Sequence, residues 1–255
     1  MTDSDFPEAL ERRITIAATP ETVFRYFTDS RRFARWWGEG SHIDGRAGGE
    51  VQIRYPDGTV VNGKVVEIEP PRRIVFTYQY ASGVPAGGSL VTITLAAEPQ
   101  GTVLDLRHAF SSAKIRDAHV QGWRYQLAIF SKTVAEEGLP AVVANVDAWL
   151  DAWGNPDAAK RRERIASCAT PDVVFRDAYS ATDGLDDLLA NLDAIQHFFP
   201  GVTLARDGDV RLSHGTAVAR WVARRDGGDP MGRGLNVYDV SPGGRFARVV
   251  GFWEG

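Results

Sequence analysis

The sequence predicts an α+β protein made of two domains in tandem, and three observations carry that expectation. After Gly40 the chain is strand-like for about seventy residues, with polarity alternating at the period of two that a half-buried antiparallel sheet imposes. The period then changes: His119, Trp123, Leu127, Phe130 and Val134 fall at helical spacing in one run of about six turns. After Gly138 and Pro140, which stop one helix and restart another, helices come first and strands follow. The expected domains are residues 1–138 and 140–255.

In the first domain, Ile14, Ile16 and Ala18 alternate as a strand. Thr19 is an N-cap, and Pro20 stands at the first helical position, where its missing N–H costs nothing. Val23, Phe24 and Phe27 form the buried stripe of that helix. Asp29 or Ser30 caps a second short helix carrying Phe33, Trp36 and Trp37, which Gly38 and Gly40 end. Val51, Ile53 and Tyr55 alternate before the turn YPDGT. VVNGKVVEIEPPRRIVFTYQY is two strands around a Pro-Pro break, with Phe76, Tyr78 and Tyr80 on one face. LVTITLAA and TVLDLRHAF follow, the latter with Leu104, Leu106, His108 and Phe110 on its dry side. In the long helix, Gly122 is expected to let a neighbouring backbone approach.

In the second domain, Val142, Val146, Trp149, Leu150 and Trp153 share one helical face. GNPD breaks that helix, and AAKRRERIASC continues as a more polar one. PDVVFRDA is a short strand with Val173, Phe175 and Asp177 on one side. TDGLDDLLANLDAIQHFFPG is a third helix ended by Pro200-Gly201. GDVRLSH, TAVARWVARR and GLNVYDV are strands, and SPGG turns into a last one, RFARVVGFW.

The composition excludes several classes of function. Of 255 residues, 44% are hydrophobic and 24% charged, and the net charge is −4. Neither half is basic enough for nucleic acid or an anionic membrane. One cysteine, Cys168, leaves no internal disulfide and no multi-cysteine zinc site. No apolar run approaches the roughly 20 residues that span a bilayer. The opening MTDSDFPEALERR is acidic and lacks a signal-peptide core, so the expected location is cytoplasmic. Walker, G-x-G-x-x-G, G-x-S-x-G and His-x-x-x-His patterns are absent. With five scattered histidines, neither a metal nor a cofactor is expected. KRRER, residues 160 to 164, reads as a solvated face.

Strand, two short helices, antiparallel sheet and one long helix is the helix-grip order. ITIAATPETVFRYFTDSRRFARWWG and HVQGWRYQLAIF resemble the SRPBCC superfamily, in its branch named for the heat-shock-protein-ninety ATPase activator homologue. The likeness covers roughly residues 10 to 137 and implies a sheet wrapped around the long helix, enclosing an apolar cavity for a small hydrophobic ligand. The two short helices then plug one end of the grip. One of Trp36 and Trp37 points into that plug while the other lies along the rim, or both are core. Residues 140 to 255 resemble the nuclear-transport-factor-two-like α+β cone, in its polyketide cyclase (SnoaL-like) and ketosteroid isomerase branch. The strand ending in Asp177 and the closing NVYDVSPGGRFARVVGFW carry that likeness.

Asp177 has two readings of equal weight. Continuing an apolar row, it is a general base whose pKa desolvation raises, at the place where the resemblance to ketosteroid isomerases puts the proton-abstracting Asp. Otherwise it is a strand-end Asp that caps the turn AYSATDG. Enolisation also needs donors where charge develops on oxygen. The isomerase positions for these fall on Asn236, which can donate, and on about Val146, which cannot. Tyr238 shares the face of Asn236, and His197 and Trp221 are further lining candidates. In the first domain, His108 and His119 either bind a ligand or shuttle a proton across the cavity, or are buried neutral histidines bonded to backbone carbonyls. Tyr55, Tyr78 and Tyr80 are expected wall aromatics whose hydroxyls orient a ligand, and Trp37 and Trp123 are further expected ligand contacts. The expected function is binding, with acid–base transformation as an isomerase or cyclase, of a small hydrophobic or polyketide-like molecule. The alternative is a non-catalytic interaction or stress-response module, co-chaperone-like. The expected partners are that ligand and, through the second domain's sheet, another copy of the chain.

Overall fold

A computed structural model describes residues 6–83 and 88–254. The chain divides into two compact units, Met1–Val134 and Ala135–Gly255.

The first unit begins with β1 (Glu8–Ile16) and two short helices, α1 (Pro20–Arg25) and α2 (Ser30–Trp37). Strands β2 (His42–Ile43), β3 (Glu50–Arg54), β4 (Val60–Glu69), β5 (Arg73–Tyr80), β6 (Ser89–Glu98) and β7 (Gly101–Phe110) follow, and then α3 (Ala113–Glu136). Among the described residues the strands form one sheet in the order β1-β7-β6-β5-β4-β3-β2. Neighbours pair antiparallel throughout, as hairpin connections allow. Both helix starts are built as their sequences require. The Thr19 hydroxyl accepts the Thr22 N–H at 3.4 Å ahead of Pro20, and Asp29 Oδ1 accepts the N–H groups of Arg31 (2.8 Å) and Arg32 (3.1 Å). Gly38 closes α2 at φ +135°, where a Cβ would come within 2.4 Å of the Arg54 carbonyl oxygen. The α3 stripe of Trp123, Leu127, Phe130 and Val134 shares one buried cluster with Leu104, Leu106 and Phe110 of β7. An α+β fold with a long helix after the sheet is what the alternating and helical periods predict.

The second unit comprises α4 (Leu139–Gly154), α5 (Ala158–Cys168), β8 (Ala169–Arg176), β9 (Ala181–Asp183) and α6 (Leu185–Phe198). Strands β10 (Val202–Arg206), β11 (Arg211–Ser213), β12 (Thr216–Arg225), β13 (Pro230–Val240) and β14 (Phe246–Glu254) complete it. The sheet order is β10-β12-β13-β14-β8-β9, with β11 also on β12. β8 runs parallel to β14, and the other pairs are antiparallel. Val146, Trp149 and Leu150 of α4 share a buried cluster with Phe175, Tyr238 and Val249.

Three local expectations are corrected. Gly122 does not admit a neighbouring backbone, because a Cβ built there meets nothing within 4 Å. KRRER is not a wholly solvated face. Arg161 is buried, with Nε 3.0 Å from Asp193 and its guanidinium also donating to the Asn155 carbonyl at 2.7 Å. The third helix starts at Leu185 rather than Thr182, since Gly184 at φ +87° interrupts the chain and Thr182 belongs to β9.

Candidate functional site

The first unit holds a pocket of about 530 Å³. Trp36, Trp37 and Gly38 reach it from the end of α2, Tyr55 from the β3 end, Tyr78 and Tyr80 from β5, and His119, Gly122, Trp123 and Gln126 from one face of α3. The α3 positions recur at three- and four-residue intervals, so one helical face forms one wall. Gly122 leaves that wall open where any side chain would project.

The hydroxyls of Tyr55, Tyr78 and Tyr80 and the His119 imidazole form one connected polar cluster. The hydroxyls of Tyr55 and Tyr78 are 2.8 Å apart. Burial pushes the Tyr55 phenol up to about 12, and burial together with the neighbouring Tyr55 and Tyr80 phenols holds Tyr78 well above its ordinary value. Tyr80 lies 3.1 Å from His119 Nε2, and His119 Nδ1 lies 2.8 Å from the Ile115 carbonyl oxygen. Burial lowers the His119 pKa, opposed by that backbone bond.

His108 is fully buried but does not line the pocket. Trp123 donates its indole N–H to His108 Nδ1 at 2.8 Å, so Nε2 carries the hydrogen and faces Ser89 Oγ at 2.7 Å. Ser89 in turn donates to the Tyr78 carbonyl at 3.0 Å. Burial, and secondarily the charge His119 would carry, hold the His108 pKa well below normal. The expected His108–His119 ligand pair is therefore corrected: the Trp123 indole seals one of the two rings behind the wall.

Trp36 and Trp37 are both core and both lining. Each is almost fully buried, and their ring centroids are 4.3 Å apart at 36°. Neither indole N–H has a partner. Gln126, which periodicity alone did not single out, donates its side-chain N–H to the Trp36 carbonyl and so ties α3 to the end of α2.

In the second unit, Asp177 follows β8 and is half-buried. Its Oδ1 accepts the N–H groups of Tyr179 (2.8 Å) and Ser180 (2.6 Å), the turn-capping arrangement, and Oδ2 lies 3.3 Å from the Trp253 indole nitrogen. Asn236 is buried, accepts the Trp221 indole N–H at 3.0 Å and donates to the Tyr238 hydroxyl at 3.1 Å. Burial pushes the Tyr238 phenol up. Asp177 and Asn236 meet across Gly251, whose Cβ would lie 3.2 Å from Asp177 Cβ and 3.1 Å from Asn236 Oδ1. His197 is corrected as a lining residue: it is exposed in the last turn of α6, beside the exposed Phe198.

An antiparallel sheet gripping one long helix, followed by a helix-backed mixed sheet, defines a fusion of two α+β classes. Residues 17–135 match the Activator of Hsp90 ATPase homolog 1-like protein family, within the SRPBCC superfamily, and residues 146–249 match the SnoaL-like domain. The chain carries these two domains in that order. Among solved structures, a SnoaL-like family protein from Agrobacterium tumefaciens is 22% identical over 47% of this chain and 99% of its own, with a TM-score of 0.43. A protein from Mesorhizobium loti is 22% identical over 49% of this chain and 94% of its own, with a TM-score of 0.44. CalU16 from Micromonospora echinospora is 27% identical over 51% of this chain and 76% of its own, with a TM-score of 0.41. No curated protein matches the chain. Among the described residues, no helix is long and apolar enough to cross a membrane.

Proposed function

We propose that the first domain is a receptor for a small, mostly apolar molecule. One observation supports this reading above others: an aromatic pocket of about 530 Å³ with a few convergent polar groups. That size and lining fall in the range typical of small-ligand sites, roughly 300–1,000 Å³. Gly122 supplies the test, because filling it need not strain the fold. Glycine is about 1 kcal/mol poorer than alanine inside a helix, and leucine is nearly as good as alanine. Gly122→Leu should therefore keep or raise the melting temperature while occupying the mouth. An anilinonaphthalene dye should bind the wild type at one site and the variant at least about tenfold more weakly, a loss of about 1.4 kcal/mol. Undiminished dye binding would place the site elsewhere and favour the interaction-module alternative.

A second reading, acid–base turnover of an enolisable ketone in the second domain, draws on the juxtaposition of Asp177 and Asn236 across Gly251. Asp177→Asn keeps the shape but removes the basic oxygen, so on this reading it abolishes turnover and leaves binding nearly intact. Full retention of activity would assign the second domain to binding alone.

A further inference from the structure

We infer that the first domain's pocket selects a neutral, mostly apolar molecule that presents an O–H or N–H hydrogen, and that this hydrogen is donated to the Tyr55 hydroxyl oxygen. The inference rests on the receptor reading and narrows its ligand class. Following the hydrogens along one chain of side chains leads to it. The Ile115 carbonyl has no hydrogen to give, so His119 Nδ1 carries the imidazole hydrogen and Nε2 is an acceptor. Burial lowers the His119 pKa, which keeps the ring neutral at neutral pH. The Tyr80 hydroxyl, 3.1 Å away, therefore donates to Nε2. The Tyr78 hydroxyl is hydrogen-bonded to both Tyr80 and Tyr55. Since the Tyr80 hydrogen is committed to His119, Tyr78 donates to Tyr80. The Tyr78 hydrogen is then spent as well, so Tyr55 donates to Tyr78 across 2.8 Å. Each hydroxyl gives its one hydrogen to the next, and the fixed end at Ile115 sets the direction of every bond. Tyr55, the last link, lines the pocket with an oxygen that can only accept.

The rest of the interior has the same polarity. The indole nitrogens of Trp36 and Trp37 are sealed within the packing and meet no ligand, and the Trp123 N–H is held by His108. The Gln126 nitrogen is tied to the Trp36 carbonyl, which leaves the amide oxygen as the free end of that side chain. Arg35 and Asp57, opposite in charge, are exposed at the mouth. The buried wall therefore offers acceptors in place of donors. A ligand whose only polar group is an ether or ketone oxygen would have to turn the Tyr55 hydrogen toward itself. Tyr55 and Tyr78 would then face each other across 2.8 Å as two oxygens with no hydrogen between them, and a partly buried hydrogen bond is forfeited. A carboxylate or an ammonium finds no buried opposite charge among the lining side chains, and burying an unpaired charge is prohibitive. A neutral hydroxyl or N–H group meets neither cost.

The test uses the full chain at neutral pH and four naphthalene probes in two shape-matched pairs, all substituted at the same ring position. One pair is a naphthol and its methyl counterpart, and the other is a methoxynaphthalene and its ethyl counterpart. Affinities come from fluorescence titration, and the ratio within each pair removes the packing that both members share. Tyr55→Phe deletes the terminal oxygen. It should shift the naphthol-to-methyl ratio about tenfold against the naphthol, the size of one well-made hydrogen bond. His119→Phe removes the acceptor beyond Tyr80, so the original direction would leave a buried hydrogen unused. The chain then reverses: Tyr80 donates to Tyr78, Tyr78 donates to Tyr55, and the Tyr55 hydrogen enters the pocket. The ether should gain about fivefold over its ethyl counterpart relative to the wild type, a gain that a merely structural histidine would not produce. Both substitutions nearly conserve shape, and continued binding of the two hydrocarbons shows that the pocket persists. A naphthol ratio unmoved by Tyr55→Phe, or an ether ratio unmoved by His119→Phe, would overturn the inference while leaving the receptor reading in place. If none of the four probes binds the wild type, the receptor reading itself fails and the inference goes with it.

Discussion

His108 and His119 lie on facing elements of the first domain, yet they have different surroundings. His108 has both ring nitrogens engaged behind the wall, whereas His119 reaches the pocket with Nε2 held by Tyr80. Alternation along TVLDLRHAF shows that His108 points inward, and helical spacing shows the same for His119. Neither pattern reveals that the Trp123 indole closes over His108, because that contact joins a strand to a helix 15 positions on. The burial has a consequence for pH. The unfolded imidazole titrates near ~6.5, and the folded pKa of His108 lies well below that. Above pH ~6.5 both states are neutral and the contribution to stability is fully present. As the pH falls through ~6.5, the unfolded chain takes a proton that the folded chain refuses. Stability then drops by at most about 1.4 kcal/mol per pH unit for each such group, until the folded pKa is reached. His119, lowered in the same direction, adds to the slope. A glutamine side chain can accept from Trp123 and donate to Ser89, so His108→Gln should flatten the fall in unfolding free energy between pH about 6.5 and 5. Denaturant titrations at several pH values check this, and parallel slopes for variant and wild type would show that His108 is not the responsible group.

Among the elements, α2 links helix capping to ligand contact. Asp29 accepts two backbone N–H groups at its start, which also lower the Asp29 pKa, and Trp36 and Trp37 at its end form part of the pocket. Asp29→Ala should cost about 1 kcal/mol of stability and weaken dye binding, because a frayed α2 no longer holds the two indoles in register. Asp29→Asn, which retains the cap, should lose much less of both; denaturant titration and dye affinity report the two effects. Capping residues, Pro20 and the inward stripes were legible in the sequence because they are local. β9 and β10, of three and five residues, are too short to display a period. The burial of Arg161 was not legible either, since its partner Asp193 lies 32 positions away on α6. Gly122 was visible as a glycine in a helix, but only the positions of α2 and β5 determine that it opens a pocket instead of receiving a backbone.

At the scale of the whole molecule, the two buried clusters share no residue. The first draws on positions up to Val134, and the second begins at Val142. The two sheets also have no strand in common. Each unit exceeds the roughly 70–80 residues below which a single core is precarious. α3 ends at Glu136, and α4 begins at Leu139 after Gly138, with Pro140 in its first turn, so a cut there removes no strand and divides no helix. We therefore expect residues 1–138 and 140–255 to be separate folding modules. Expressed alone, residues 1–138 should unfold cooperatively in denaturant and bind the dye with the affinity of the full chain. Residues 140–255 should do the same without dye binding at that site, and the far-ultraviolet circular dichroism of the two fragments should sum to that of the intact protein. A first fragment without a cooperative transition would mean that its core depends on the second unit. A folded first fragment with impaired dye binding would instead mean that the second unit shapes the pocket.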